Sequence, residues 1–167
     1  MSKIRFTEPN REILARRDSI INDLTRLVDP AGLITSTDEC RAYETDALTA
    51  YRKMPLAVVL PKTTEEVSAV LKYCHDTGVK VVPRGAGTSL AGGAIPSEDA
   101  VVLGLSKMNR VLAVNYDDRF IRVEAGVTNL SVTAVVAENG FFYATDPSSQ
   151  LACTIGGNTA NTPAGAH

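Results

Sequence analysis

The sequence has 167 residues, 44% apolar and 22% charged, which suits one domain with a buried core and rules out a second full one. Seventeen Lys and Arg against nineteen Asp and Glu give a net charge of −2, with the basic residues scattered, so a nucleic-acid surface is excluded. The longest uninterrupted apolar run, residues 56–60, is far short of the ~20 residues that cross a bilayer, and the charged N-terminus does not read as a secretory signal; no transmembrane segment and a cytoplasmic address are expected.

Along the chain, Ile13, Leu14, Ile20, Ile21, Leu24, Leu27 and Val28 return to one helical face, which predicts a single amphipathic helix over 8–28 with Thr7 as its cap. Residues 29–53 are polar with short apolar pieces and read as a connecting arm, so that 1–53 forms an N-terminal helix and arm. The main domain is expected over 54–167. It opens with a buried strand at 56–60, followed by a capping box at Thr63-Thr64-Glu65-Glu66. The helix that follows places Val67, Val70, Leu71 and Cys74 on one face and stops at Gly78. A strand at 80–83 completes a β-α-β unit. Three further strands, at 100–105, 111–115 and 120–124, predict a meander. A helix from a Thr128 cap to Asn139, stopped by Gly140, precedes a short strand at 141–143. The fold class is α+β. Cys40, Cys74 and Cys153 are odd in number and widely spaced, which suits reduced thiols rather than disulfides or a zinc site.

Two stretches carry chemistry. In Pro83-Arg84-Gly85-Ala86-Gly87-Thr88-Ser89-Leu90-Ala91-Gly92-Gly93, four glycines let the backbone approach a ligand, and successive N–H groups form a concave nest for phosphate oxygens. A plain flexible connection is the alternative. The dinucleotide fingerprint fails because Leu90 stands at its third glycine and a strand rather than a helix follows. The P-loop fails because no Gly-Lys-Ser/Thr closes it. The second stretch, Asp146-Pro147-Ser148-Ser149 and then Cys153-Thr154-Ile155-Gly156-Gly157-Asn158, combines hydroxyls, an amide and a Gly-Gly pair against which a flat ring can lie. A polar turn is the alternative there.

The order of Val58-x-x-Pro61-x-Thr63-x-x-Glu66-Val67, the 83–89 loop, Val123-Glu124-Ala125-Gly126-Val127 and 153–158 resembles the FAD-linked oxidases of the vanillyl-alcohol oxidase type, which have a PCMH-type FAD-binding fold. Within that superfamily it is most similar to the FAD subunits of glycolate oxidase and the D-lactate or D-2-hydroxyacid dehydrogenases. The resemblance implies two small α/β subdomains. It further implies FAD pyrophosphate on the backbone of Arg84, Gly85, Ala86, Gly87, Thr88 and Ser89 with Gly92 nearby, and flavin contacts at Pro147, Ser148, Thr154, Gly157 and Asn158. Some relatives link a histidine covalently to flavin at the place of Thr88; a threonine has no imidazole, so the FAD is expected to be non-covalent.

The family's pattern beyond Asn158 is broken at Thr162 and Ala164. Its remaining FAD-binding segment, substrate cap, metal-binding histidines and carboxylate-binding arginines are expected downstream of His167. The chain is thus expected to be an incomplete N-terminal part, inactive by itself, holding FAD weakly if at all and prone to self-association as a homodimer. No catalytic residue and no metal ligand is assigned. His75 reads as solvent-facing near a helix C-terminus. The function implied is oxidation of a small 2-hydroxy acid such as glycolate or D-lactate, with electrons passed to a carrier or an iron–sulfur partner subunit. The alternatives are a non-catalytic FAD or nucleotide-binding module and the flavin domain of a sugar-nucleotide reductase.

Overall fold

The computed structural model describes residues 7–145 and 147–161. The expected first helix is two pieces, α1 (Arg11–Ala15) and α2 (Arg17–Leu24), separated at Arg16. Asn10, not Thr7, caps α1, its side chain accepting the Glu12 N–H at 2.9 Å. Pro30–Gly32 forms a 3-10 turn, and β1 (Leu33–Ile34) and α3 (Thr37–Cys40) follow. The arm is therefore structured, and part of it is a strand.

The β2 strand (Ala57–Val59) leads to α4 (Thr64–Thr77), β3 (Lys80–Arg84) and β4 (Ala100–Gly104). Thr63 caps α4 through the Glu66 N–H, and Gly78, at φ +73°, ends it. Only half of the capping box closes. The Glu66 carboxylate turns outward and accepts the N–H groups of Lys62 at 2.6 Å and Asp29 at 3.3 Å, tying the arm to this helix start. On α4, Val70 and Cys74 are buried, whereas Leu71, expected on that face, is 45% exposed.

The sheet order is β1-β2-β4-β3, with β1 antiparallel to β2 and the other pairs parallel. The meander is thereby corrected: β4 inserts between the two strands of the β-α-β unit, and only β5 (Val111–Asn115) and β6 (Phe120–Val123) pair as a hairpin. The reason lies in burial. All five residues of β4 are buried, as a central parallel strand covered on both faces requires, whereas a meander strand alternates. One face packs Val59, Val101 and Leu103 against Ile13, Ile20 and Leu24 of the N-terminal helices and Val70 and Cys74 of α4. The other packs Val58 and Val102 against Cys40, Ile34 and Tyr43 of the arm. β3 is an edge strand, which accommodates the missing N–H of Pro83.

Beyond the hairpin, α5 (Asn129–Val136) is capped by Thr128 and tightens into a 3-10 turn ended by Gly140 at φ +78°. Residues 141–143 form no strand. Phe141 stacks at a tilt on Tyr116, ring centroids 5.6 Å apart, and the Tyr143 N–H goes to the Thr133 hydroxyl; no neighbouring strand among the described residues offers a ladder. The last described element is α6 (Ile155–Asn161).

Asp99, fully buried before β4, accepts from the Asn10 N–H at 2.8 Å and the Ser97 hydroxyl at 2.6 Å, and pairs with Lys80 at 2.8 Å. Burial raises its pKa, but these partners together outweigh burial and hold it at about 2. An aspartate in an unfolded chain titrates near ~3.9. The depressed folded value means that the stabilisation is complete above that unfolded pKa and is lost as pH falls through about 2. Urea unfolding as a function of pH should show this loss for the parent chain. Asp99→Asn should be less stable at pH 7 by roughly 1–3 kcal/mol and should lack this acid-side decline.

Candidate cofactor site

The parallel strands β4 and β3 end at Gly104 and Arg84, and the Leu105 N–H bonds the Arg84 carbonyl at 3.1 Å. Beyond these carboxyl ends, where open α/β sheets place their ligands, lies a cleft of about 460 Å³. One wall is the loop of residues 84–89, with Gly93 and Ala94. The other is formed by Ala125, Ser149, Cys153, Thr154, Gly156, Gly157 and Asn158.

The first wall is built from glycine geometry. Gly87 has φ +74°, and a Cβ there would run into the Arg84 guanidinium. Gly85 faces the opposite wall, where a Cβ would stand 2.7 Å from the Thr154 hydroxyl. Among the described residues, no protein acceptor takes the backbone N–H groups of Ala86, Gly87 and Thr88. These donors suit an anion held by main chain, as in a phosphate nest.

The second wall is pinned by main-chain bonds. Thr154 bridges Thr128, the Ile155 N–H goes to the Val127 carbonyl at 2.8 Å, and the Gly156 N–H goes to the Ala125 carbonyl at 2.9 Å. Gly156 has no room for a side chain, since a Cβ would lie 2.8 Å from that of Ala125. Gly126 makes the approach possible: its N–H bonds the Met108 carbonyl at 2.7 Å, and a Cβ would strike the Leu105 carbonyl. Asn158 is 8% exposed, and its amide Nδ2 has no hydrogen-bond partner among the described residues. A buried donor without an acceptor is costly, and in a cleft wall it matches a ligand acceptor.

Of the residues singled out from the sequence, Arg84 to Ser89, Thr154, Gly157 and Asn158 line this one cleft. Gly92, at φ +76°, faces Leu48 and Ile95 of the protein instead. Pro147 and Ser148 form a turn beside the cleft, and Ser149 is the one of the group that lines it. Asp146, Thr162, Ala164 and His167 lie outside the described residues. Sequence reading missed Leu105 and Ala125 as wall residues; the Glu124-Ala125-Gly126-Val127 motif was the available signal for the second. His75 is exposed in the last turn of α4. Burial pushes the Cys74 thiol up to about 11 and the Cys40 thiol up as well, so both are protonated and unreactive at neutral pH.

An α+β sheet whose glycine loop leaves a parallel strand without entering a helix, facing a flat Gly-Gly wall with a free amide donor, defines a nucleotide-cofactor-binding domain outside the Rossmann class. The chain belongs to the FAD binding domain family, whose sequence profile matches residues 55–167. It is 45% identical over 151 residues to glycolate oxidase subunit GlcD of Escherichia coli (strain K12), covering 90% of this chain and 30% of that protein. It is 32% identical over 146 residues to the mitochondrial D-2-hydroxyglutarate dehydrogenase of Bos taurus, covering 86% of this chain and 27% of that one. The chain spans about 30% of the length of the curated relatives it matches. Alkyldihydroxyacetonephosphate synthase (TM-score 0.79, 21% identity, 97% of this chain and 34% of that chain) and p-cresol methylhydroxylase (0.73, 21%, 90% and 30%) share its fold. The expected PCMH-type fold and FAD as cofactor are thus established.

Gly85→Val should push a branched side chain into the buried Thr154 and close the cleft, lowering FAD affinity at least tenfold in a fluorescence titration while circular dichroism stays that of a folded protein. Asn158→Leu separates two effects. Removing the unpartnered donor should raise the thermal midpoint of the FAD-free protein, and the same change should weaken FAD binding; a fall in both midpoint and affinity would contradict a ligand role for the amide.

Proposed function

We propose that this chain is the FAD-binding part of a flavin-dependent oxidoreductase that oxidises a small 2-hydroxy acid of the glycolate or D-lactate class. The observation that carries the reading is the cleft itself, whose walls hold the loop N–H groups and the Asn158 amide and, among the described residues, no acidic side chain. Its groups fit FAD: main-chain N–H groups of Ala86, Gly87 and Thr88 for the diphosphate, and the Thr154 hydroxyl, the flat Gly157 backbone and the Asn158 amide along the ring. Bound FAD supplies a ring that accepts a hydride equivalent from the carbon bearing the hydroxyl. The chain's own contribution is binding, orientation and exclusion of water from one side of the ring. The domain organisation that accompanies this reading is a helix and arm over 1–53 and an FAD-binding domain over 54–167.

Thr88, with no imidazole, leaves the cofactor non-covalent. The relatives' names supply the substrate class, and the word subunit in the name of the glycolate oxidase relative supports an electron-accepting partner, here read as an iron–sulfur protein. No helix among the described residues is long and apolar enough to cross a membrane, and a cytoplasmic setting accompanies that reading.

Acid precipitation of the intact protein should release all of its flavin into the supernatant; flavin retained in the pellet means a covalent link. With a dye acceptor, the same preparation should turn over one of glycolate, D-lactate or D-2-hydroxyglutarate at on the order of 1 per second or faster. Flavin binding without turnover on any 2-hydroxy acid would favour the non-catalytic module, and oxidation of a reduced nicotinamide cofactor in the presence of a sugar nucleotide would favour the reductase.

A further inference from the structure

The guanidinium of Arg84, a residue that lines the cleft, is held by the arm. Nη1 donates to the Thr45 carbonyl at 2.6 Å, and the guanidinium lies over the Tyr43 ring with Cζ 5.5 Å from its centroid. Its inner edge fills the space where a Cβ of residue 87 would stand. The same turn of the arm holds the loop a second time, through the Ala47 N–H to the Ser89 carbonyl at 3.1 Å. Asp46, 4% exposed between these contacts, accepts the Leu48 N–H at 2.9 Å and lends its charge to Arg84. Residues 43–47 precede the segment that matches the FAD-binding family, which begins at residue 55.

We infer that the 43–47 turn is a working part of the cofactor site, and that Arg84 is a positioning residue that presets the diphosphate loop by clasping it to Tyr43 and Thr45. A loop with glycines at 85, 87, 92 and 93 has a large conformational entropy to lose, and only the fraction of molecules with the loop already shaped binds at intrinsic affinity. The clasp raises that fraction. A planar guanidinium is suited to this double duty, because it stacks on a ring and donates in a fixed fork, whereas a lysine does neither. The inference rests on the assignment of the 84–89 loop to the diphosphate.

The test compares Arg84→Met, Arg84→Lys, Tyr43→Leu, Tyr43→Phe and Gly85→Val in the intact protein. FAD dissociation constants come from fluorescence titration, and thermal midpoints from the FAD-free form. Both Arg84 variants should bind FAD about tenfold more weakly or worse, as a drop of the shaped fraction to roughly a tenth dictates. Tyr43→Leu should lose severalfold, and Tyr43→Phe, which keeps the ring, should restore parental affinity. Silent Tyr43 variants beside damaging Arg84 variants would mean that Arg84 reaches the phosphate directly, and the clasp fails. Lower midpoints with unchanged dissociation constants would make the contact merely structural, which also overturns it. Gly85→Val separates the two levels: if it abolishes binding while Arg84→Met does not, the clasp alone is wrong, and if neither matters, the loop is not the diphosphate site.

Discussion

Everything at the cleft depends on the insertion of β4 between β2 and β3. Parallel pairing brings the carboxyl ends of β3 and β4 side by side, so the glycine loop that leaves Arg84 and the turn that begins at Leu105 start from the same edge. The next contact depends on that one. Gly126 lies so close against the 105–108 turn that any side chain would collide with the Leu105 carbonyl, and residues 125 and 127 then present the carbonyls that hold Gly156 and Ile155. A chain of close main-chain approaches thus carries the second wall to the first, with glycine at each step where a Cβ would block the way.

Charge is used to fasten the ends of this assembly rather than to line its cleft. Arg110 grips Glu124 with Nε at 3.1 Å and Nη2 at 2.7 Å, while its own N–H takes the other carboxylate oxygen at 2.8 Å. That bidentate contact holds the Glu124 carboxyl below its ordinary value and locks the end of the hairpin two residues before Gly126. Asp99 does the equivalent task on the far side, joining the cap of α1 to the edge strand through Lys80. Among the described residues no acidic side chain lines the cleft, so an anion bound there would be desolvated without meeting a like charge.

The N-terminal arm belongs to the same physical unit. Its helices cover one face of the four-stranded sheet, its later residues cover the other, and its 43–47 turn touches the back of the loop. A four-stranded sheet with a fully buried central strand needs both faces covered, and here the sequence before residue 54 supplies much of that cover.

Several elements were legible in the sequence because their signals are local. The Thr63 cap and Gly78 stop of α4, the Thr128 cap and Gly140 stop of α5, the hairpin strands and the glycine loop each follow from a few neighbouring residues whose backbone preferences agree. The loop and the 153–158 stretch were also recognisable as candidate ligand contacts, since their glycines and hydroxyls stand together in the chain. Tertiary structure alone decided what depends on distant partners. Residues 100–104 are central in a parallel sheet because both faces find cover, residues 141–143 are not a strand because no described strand pairs with them, and Arg84 faces the arm because Tyr43 and Thr45 lie behind the loop. None of these partners is within reach along the sequence, and side-chain direction and strand neighbours are set by what packing brings near.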